Sequence, residues 1–174
     1  MIDSDATPII TMGVSAISDA DNNMVTQSAF SASDGAVPII IIVNSNTVAG
    51  SYGAKDEVDI LVGFSEPVDV SGTPQLTLET DSTDAVVDYT SGNGGNSLKF
   101  SYTVGIGETS TDLEYKNIDA LTLNGGTIRD AALNNASLTL ASPGAAKSLG
   151  ANKDLVIDGT LGVTDYVNVQ TLLI

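Results

Sequence analysis

From residue 97 to 104 every second side chain is apolar: Leu98, Phe100, Tyr102 and Val104 alternate with Lys99, Ser101 and Thr103. Successive side chains of a β-strand point to opposite faces, so this pattern fits a strand with one face in a core and the other in water. The same period returns in Val58, Ile60, Val62 and Phe64, set among Asp59, Leu61 and Gly63, and again in Leu76 and Leu78. Nowhere does a 3.6-residue apolar period run between recognisable caps. The expected fold is all-β.

Turn residues cut the chain into short pieces. Ser71-Gly72-Thr73-Pro74, the polar stretch 81–84, the loop 91–96 and Asn124-Gly125-Gly126 supply the φ > 0 positions and polar groups that tight turns need. Ser65-Glu66-Pro67 is expected to end the strand that begins at Val58, because proline brings no N–H to a ladder. Further short strands are expected at 85–89, 113–115, 120–123, 137–140 and 155–157. Roughly seven or eight strands about ten residues apart argue for a β-sandwich with Greek-key connections. Its core is expected to hold Phe64, Leu76, Leu78, Leu98, Phe100, Tyr102 and Val104.

Two phrases bracket this region. Residues 33–43 read SDGAVPIIIIV, an acidic turn and a proline followed by five β-branched residues, which describes a linker feeding a buried strand. Near the other end Leu155-Val156-Ile157 again runs into Asp158-Gly159. An internal echo points the same way: residues 17–23 (ISDADNN) match residues 128–135 (IRDAALNN) in the order of their parts. Residues 1–35 therefore read as the closing hairpin of a preceding repeat or a strand-donating leader, and 36–160 as the domain. Residues 161–174, with Val163, Val167, Val169, Leu172, Leu173 and Ile174, read as a strand-prone tail. The expected partners are neighbouring repeats or copies of the chain itself, joined through terminal strands.

The charge narrows the function. Twenty-two acidic residues stand against six basic ones, a net charge of -16, which repels phosphate backbones and anionic lipid. Nucleic acid is not an expected partner. Nor is membrane insertion expected, since the longest apolar run, 37–43 with its proline, is far too short to span a bilayer. The chain has no Cys and no His, which removes thiolate chemistry, the commonest general base and the usual ligands of zinc, copper and haem. No export signal is visible, as in a piece cut from a longer secreted chain, and the composition suits a bacterial extracellular protein.

Several motifs together resemble a known family. Phe64-Ser65-Glu66-Pro67-Val68, then 72–78 (GTPQLTL), then 123–132 (LNGGTIRDAA), then Leu155-Val156-Ile157-Asp158-Gly159 follow the order found in tandem bacterial immunoglobulin-like repeats of large cell-surface and adhesin proteins. The resemblance covers about residues 33–160, and it departs at Leu133, where the family usually carries glycine. It implies an immunoglobulin-like Greek-key β-sandwich, here with an extra N-terminal β-hairpin and a C-terminal strand. It also implies a non-catalytic spacer module, often stiffened by calcium.

Calcium takes six to eight oxygens from carboxylates, amides and carbonyls, which an acidic protein with Asp and Asn loops can supply. An immunoglobulin-like topology would gather Asp34, Glu66, Asp69, Asp130 and Asn134, with Asn135, near one pole as its metal ligands. Asp and Asn also favour turns for backbone reasons alone, so solvated turns account for the same residues. No enzyme is expected. Asp56, Glu57 and Asp59 could pair carboxylates for glycoside hydrolysis, but alternation puts Glu57 and Asp59 on a solvated strand face. Lys55 and Lys99 are expected to be exposed, which argues against an isopeptide crosslink. Two other readings stay open: a filament or surface-layer subunit joined by strand exchange, and a carbohydrate-binding module using some of Tyr52, Tyr89, Tyr102, Tyr115 and Tyr166.

Overall fold

The computed structural model describes residues 35–81 and 83–160; the expected leader hairpin, its echo at 17–23, the tail 161–174 and Asp34 lie outside the described residues. Eleven strands follow in order: β1 (Ile40–Ser45), β2 (Gly50–Gly53), β3 (Glu57–Ser71), β4 (Gln75–Glu79), β5 (Ala85–Ser91), β6 (Gly95–Thr103), β7 (Thr109–Ser110), β8 (Glu114–Tyr115), β9 (Leu121–Thr122), β10 (Thr127–Arg129) and β11 (Leu155–Asp158). One helical turn, α1 (Leu149–Asn152), precedes β11. The all-β expectation holds.

A curled antiparallel sheet runs in the order β1-β3-β6-β5-β4-β8, with β10 also on β3 and β9 also on β4. A smaller sheet runs β2-β11-β7, in which β11 is parallel to β2 and antiparallel to β7. The segment 109–115 belongs to both sheets. Its first residues pair with β11 and its last with β4, so it joins one to the other.

The two cleanest alternations in the sequence lie side by side. β3 and β6 pair antiparallel with Val58 opposite Tyr102, Ile60 opposite Phe100 and Val62 opposite Leu98. Directly opposed residues send their side chains to the same face, so two period-2 patterns become one continuous apolar surface. Leu76 and Leu78 of β4 complete it, and all seven expected core residues are no more than 2 % exposed. The ring of Phe100 meets Tyr89 edge-on, with centroids 6.1 Å apart and planes at 72°.

The structure corrects three expectations. β3 does not stop at Ser65-Glu66-Pro67 but continues for 15 residues to Ser71. Its register against β6 shifts between Gly63 and Val68, and Pro67 falls inside that irregularity, where a missing N–H removes no ladder bond. Past it, β3 still pairs through Asp69, Val70 and Ser71 with β10. The isoleucine run is not buried on both faces. β1 pairs in its sheet with β3 alone, and Ile39 and Ile41 are 49 % and 41 % exposed while Val43 is buried. Residues 137–140 form no strand: Ser137 makes a single parallel bridge to Ile39, and Leu140 is buried without a ladder of its own.

Removing the ring at the centre of this surface tests the packing. Phe100→Ala is expected to lower the unfolding free energy by about 3–5 kcal/mol, as deletion of a large buried aromatic does. Urea denaturation reads this as a lower midpoint, and a loss below about 1 kcal/mol would contradict the packing described.

Candidate functional site

Beyond the register shift of β3, side chains again alternate: Glu66 and Val68 are buried, whereas Pro67 and Asp69 are exposed. Glu66 is 3 % exposed. Asp69 faces the other side of the strand, with its carboxylate near the 92–95 turn, where a Cβ on Gly94 would sit 3.9 Å from Asp69 Oδ1. Arg129 of β10 pairs with Asp69, so Asp130 lies one residue past that pairing, and it too is 3 % exposed.

Asp130 organises the loop that follows. Its Oδ1 accepts the backbone N–H of Asn134 at 2.8 Å and its Oδ2 accepts Asn134 Nδ2 at 2.7 Å. Backbone bonds from Leu133 N–H to Asp130 O and from Asp130 N–H to Asn134 O, each 3.1 Å, close the turn. Charge-assisted bonds of this kind offset much of the cost of burying a carboxylate. Leu133 takes φ +71°, the left-handed conformation, and stands 71 % exposed. The left-handed position of this turn is thus filled by leucine, with strain. Asn135 Oδ1 accepts Arg129 Nε at 2.8 Å on the exposed side.

The incoming chain is fastened midway along β3, beside Glu66. Ser137 N–H donates to Pro38 O at 2.8 Å, Ser65 N–H to Ile39 O at 2.9 Å, and Ile39 N–H to Ser65 Oγ at 3.1 Å. Of the five expected ligands, Glu66 and Asp130 are buried carboxylates on segments that meet here, Asn134 is hydrogen-bonded to Asp130, Asp69 turns away, and Asp34 lies outside the described residues. Two carboxylates and an amide fall short of the six to eight oxygens calcium takes. No group of three or more acidic side chains among the described residues is placed to hold a metal.

The outgoing chain is held by the loop that follows Thr103, the partner of the first residue of β3. Gly159 N–H donates to Glu108 O and Gly107 N–H donates to Gly159 O, both at 2.8 Å. A Cβ on Gly159 would lie 2.2 Å from Gly105 O and 2.8 Å from Glu108 O, so only glycine fits. Glu108 Oε2 accepts Gly105 N–H at 2.7 Å and the Tyr102 hydroxyl at 2.6 Å. Burial, together with this carboxylate, pushes the Tyr102 phenol far above its ordinary range. The sequence marks Asp158-Gly159 as a boundary, and the crowding around Gly159 is the physical reason.

Between β4 and the segment 109–111 the curled sheet opens into a cleft of about 520 Å³, lined by Glu79, Asp81, Thr109, Ser110, Ile157 and Asp158 among others. Its residues come from three separated segments, each unremarkable by itself, so the sequence offers no signal for it. Asp158 there is held below the usual carboxylate range by hydrogen bonds from the Thr160 side chain and backbone.

The remaining candidates do not assemble. Asp59 accepts from Ser101 Oγ at 2.8 Å and Lys99 Nζ at 3.0 Å, which hold its carboxyl below the usual range, while Glu57 stays exposed. Lys99, expected in solvent, is only partly exposed in this pair. Tyr102 and Tyr115 are buried, Tyr89 lies against Phe100, and Tyr52 donates its hydroxyl to Val48 O at 2.5 Å. Among the described residues the tyrosines form no shared platform.

The strain at Leu133 is open to measurement. A non-glycine residue in the left-handed region costs roughly 1–2 kcal/mol, and glycine gives back about 0.5–1 kcal/mol as unfolded-chain entropy. Leu133→Gly is therefore expected to stabilise the domain by about 0.5–1 kcal/mol in urea denaturation, and a loss of stability would show that the Leu133 side chain holds the loop.

Comparison of the chain with protein-family models, curated proteins and solved structures gives no match, so the reading of these two poles rests on their own residues.

Proposed function

We propose that residues 36–160 are an immunoglobulin-like Greek-key β-sandwich acting as a non-catalytic spacer repeat of a bacterial extracellular surface protein, with neighbouring repeats as partners. One observation carries the reading. Pro38 and Ile39 are fastened beside Ser65, whereas Gly159 is held beside Gly105 and Glu108, and Asp158 lies against Gly53 just ahead of Glu57. Glu57 and Ser65 are eight residues apart on β3, and at about 3.3 Å per residue the two connections are separated by roughly 26 Å along that strand. A domain that receives the chain at one end and releases it at the other adds length when repeated. A domain with both connections at one end adds mostly bulk. The parallel register of β2 with β11, and the meander β4-β5-β6 with β3 crossing over to pair with β6, are further support for the immunoglobulin-like topology.

The same reading includes calcium at the pole of the incoming chain. Glu66, Asp130 and Asn134 are the ligands the domain would contribute. A cation there would offset the cost of burying the two carboxylates.

Two measurements separate these claims. Spin labels on the full chain at Val37→Cys and Thr160→Cys are expected to report a distance of about 25–35 Å, and a value below about 15 Å would end the spacer reading. Thermal melting in millimolar calcium against chelator is expected to show a higher Tm with calcium, since an ion bound only by the folded state stabilises it by mass action. An unchanged Tm removes the metal and leaves the spacer.

A further inference from the structure

Among the described residues three dipeptides place an Asn or Asp ahead of glycine, whose lack of a side chain lets its N–H approach the preceding side-chain carbonyl: Asn93-Gly94, Asn124-Gly125 and Asp158-Gly159. They share a spelling and differ in bonding. Gly94 N–H donates to Val68 O at 2.9 Å and Asn93 Oδ1 accepts Val70 N–H at 2.6 Å, so nucleophile and electrophile are both engaged with β3. Gly159 N–H donates to Glu108 O at 2.8 Å. The Asp158 carboxyl accepts from the Thr160 backbone and hydroxyl, which favour its ionised form, a poor electrophile. Gly125 N–H, by contrast, meets no acceptor among the described residues. The bond that closes its turn, Gly126 N–H to Leu123 O at 2.8 Å, leaves it unoccupied. Asn124 and Gly125 are both exposed, and the Asn124 amide is held by one bond, from Nδ2 to Thr73 O at 3.1 Å.

We propose that Asn124-Gly125 is a site of spontaneous covalent modification, converting to aspartate and isoaspartate through a cyclic imide, and that conversion loosens β10. Hydroxide takes the Gly125 amide proton and the nitrogen attacks Asn124 Cγ. The new N–Cγ bond forms, the Cγ–Nδ2 bond breaks, and Nδ2 leaves as ammonia. Water then adds to one of the two imide carbonyls and the C–N bond there breaks. Opening at Cγ leaves aspartate; opening at the backbone carbonyl leaves isoaspartate, with an extra carbon in the main chain. Either product replaces the amide with a carboxylate, which cannot donate to Thr73 O. The extra carbon also lacks room. A Cβ on Gly126 would sit 2.1 Å from Ser71 O, and one on Gly72 would sit 2.8 Å from Gly126 Cα, so this turn lies backbone to backbone on the end of β3. β10 starts one residue later, with Thr127 opposite Ser71, and runs on to the Asp130 loop. The chemistry is independent of any role as a spacer.

Incubating the full-length chain in warm, mildly alkaline buffer tests both parts. Trypsin releases Asn124 in the peptide 117–129 and Asn93 in 56–99, and fragmentation in the mass spectrometer places each amide-to-acid conversion. Asn93 can react only after its turn opens, whereas Asn124 needs no such opening. Asn124 is therefore expected to convert at least about fivefold faster than Asn93, the factor equivalent to one net hydrogen bond of about 1 kcal/mol. In urea strong enough to unfold the chain, the two rates are expected to converge. Equal native rates, or faster conversion at Asn93, overturn the site, and a difference that persists unchanged in urea overturns its assignment to the fold. The converted chain, with its added negative charge, separates by anion exchange. Its urea midpoint is expected to fall below that of the unconverted chain, while Asn124→Gln, whose longer side chain closes the ring far more slowly, keeps its midpoint through the same incubation. An unchanged midpoint in the converted chain, or an equal fall in Asn124→Gln, overturns the loosening of β10.

Discussion

The long strand β3 is the constraint on which the other elements depend. It gives one edge to β6 and divides the other between β1 and β10, so three strands take their positions from it. Such a strand has to keep a consistent pleat while changing partners part-way along. The shift between Gly63 and Val68, where five steps along β3 face two along β6, permits that change, since such an irregularity absorbs extra residues and lets the strand bend. Gly63 is suited to the place: a Cβ there would come 2.8 Å from the Ile42 side chain, so β1 can approach only because Gly63 has none. Bend, proline and close approach thus occur together, and the apolar face resumes with Val68 on the far side.

A chain with 22 acids and six bases cannot pair most of its carboxylates with its own basic side chains. Among the described residues there are two ion pairs, Asp59 with Lys99 and Asp84 with Lys116, and both are surface contacts of small energetic weight. The carboxylates that shape the fold bind backbone N–H groups instead. Glu114 is the fullest case: Oε1 accepts from Tyr115 and Leu149 and Oε2 from Gly144 and Gly150, all at 3.1 Å. One side chain thereby fastens a strandless stretch, residues 144–150, onto β8. Glu108 does the same for 105–108, Asp130 for 130–134, and Asp56 accepts Gly53 N–H at 2.8 Å to close the β2–β3 turn. Part of the acidity here serves as internal scaffolding. That offers a physical reason for an acidic composition which does not require every carboxylate to face a ligand.

This division explains what the sequence reveals and what it hides. The alternations at 58–64, 76–78 and 98–104 are legible because a half-buried strand writes its two faces directly as period two. The run Ile39 to Val43 misleads for the complementary reason: a wholly apolar spelling fits burial on both faces, and only the pairing order shows that β1 has β3 on one side alone. Pro67 misleads because local rules see its missing N–H and not the irregularity that makes the N–H unnecessary. Glu66 and Asp130 fall on neighbouring segments because β10 docks on β3, a long-range pairing that the resemblance could suggest and periodicity could not. Asp69 is the instructive failure. It is three residues from Glu66, an odd separation that turns it to the opposite face of the strand. Glu114 and Glu108 left no signal at all, because a carboxylate that binds loop N–H groups reads in sequence like any solvated acid.

The two places where the chain meets the domain are fixed by opposite means. Pro38 limits φ from within, through its own ring, and is then held by Ser137 N–H on its own carbonyl and by the bonds between Ile39 and Ser65. Gly159 is free from within and is limited from without, by carbonyls packed where a Cβ would be. The second arrangement couples the outgoing chain to the core. The 105–108 loop that crowds Gly159 is held by Glu108, whose carboxylate also accepts the hydroxyl of Tyr102, and the Tyr102 ring lies in the apolar face opposite Val58 of β3. A larger residue at position 159 would have to move that loop. Moving the loop would strain a buried phenol–carboxylate bond. The direction in which the chain leaves is therefore set by the hydrophobic core itself, through one tyrosine and one glutamate, and not by the turn preferences of Asp158-Gly159 alone.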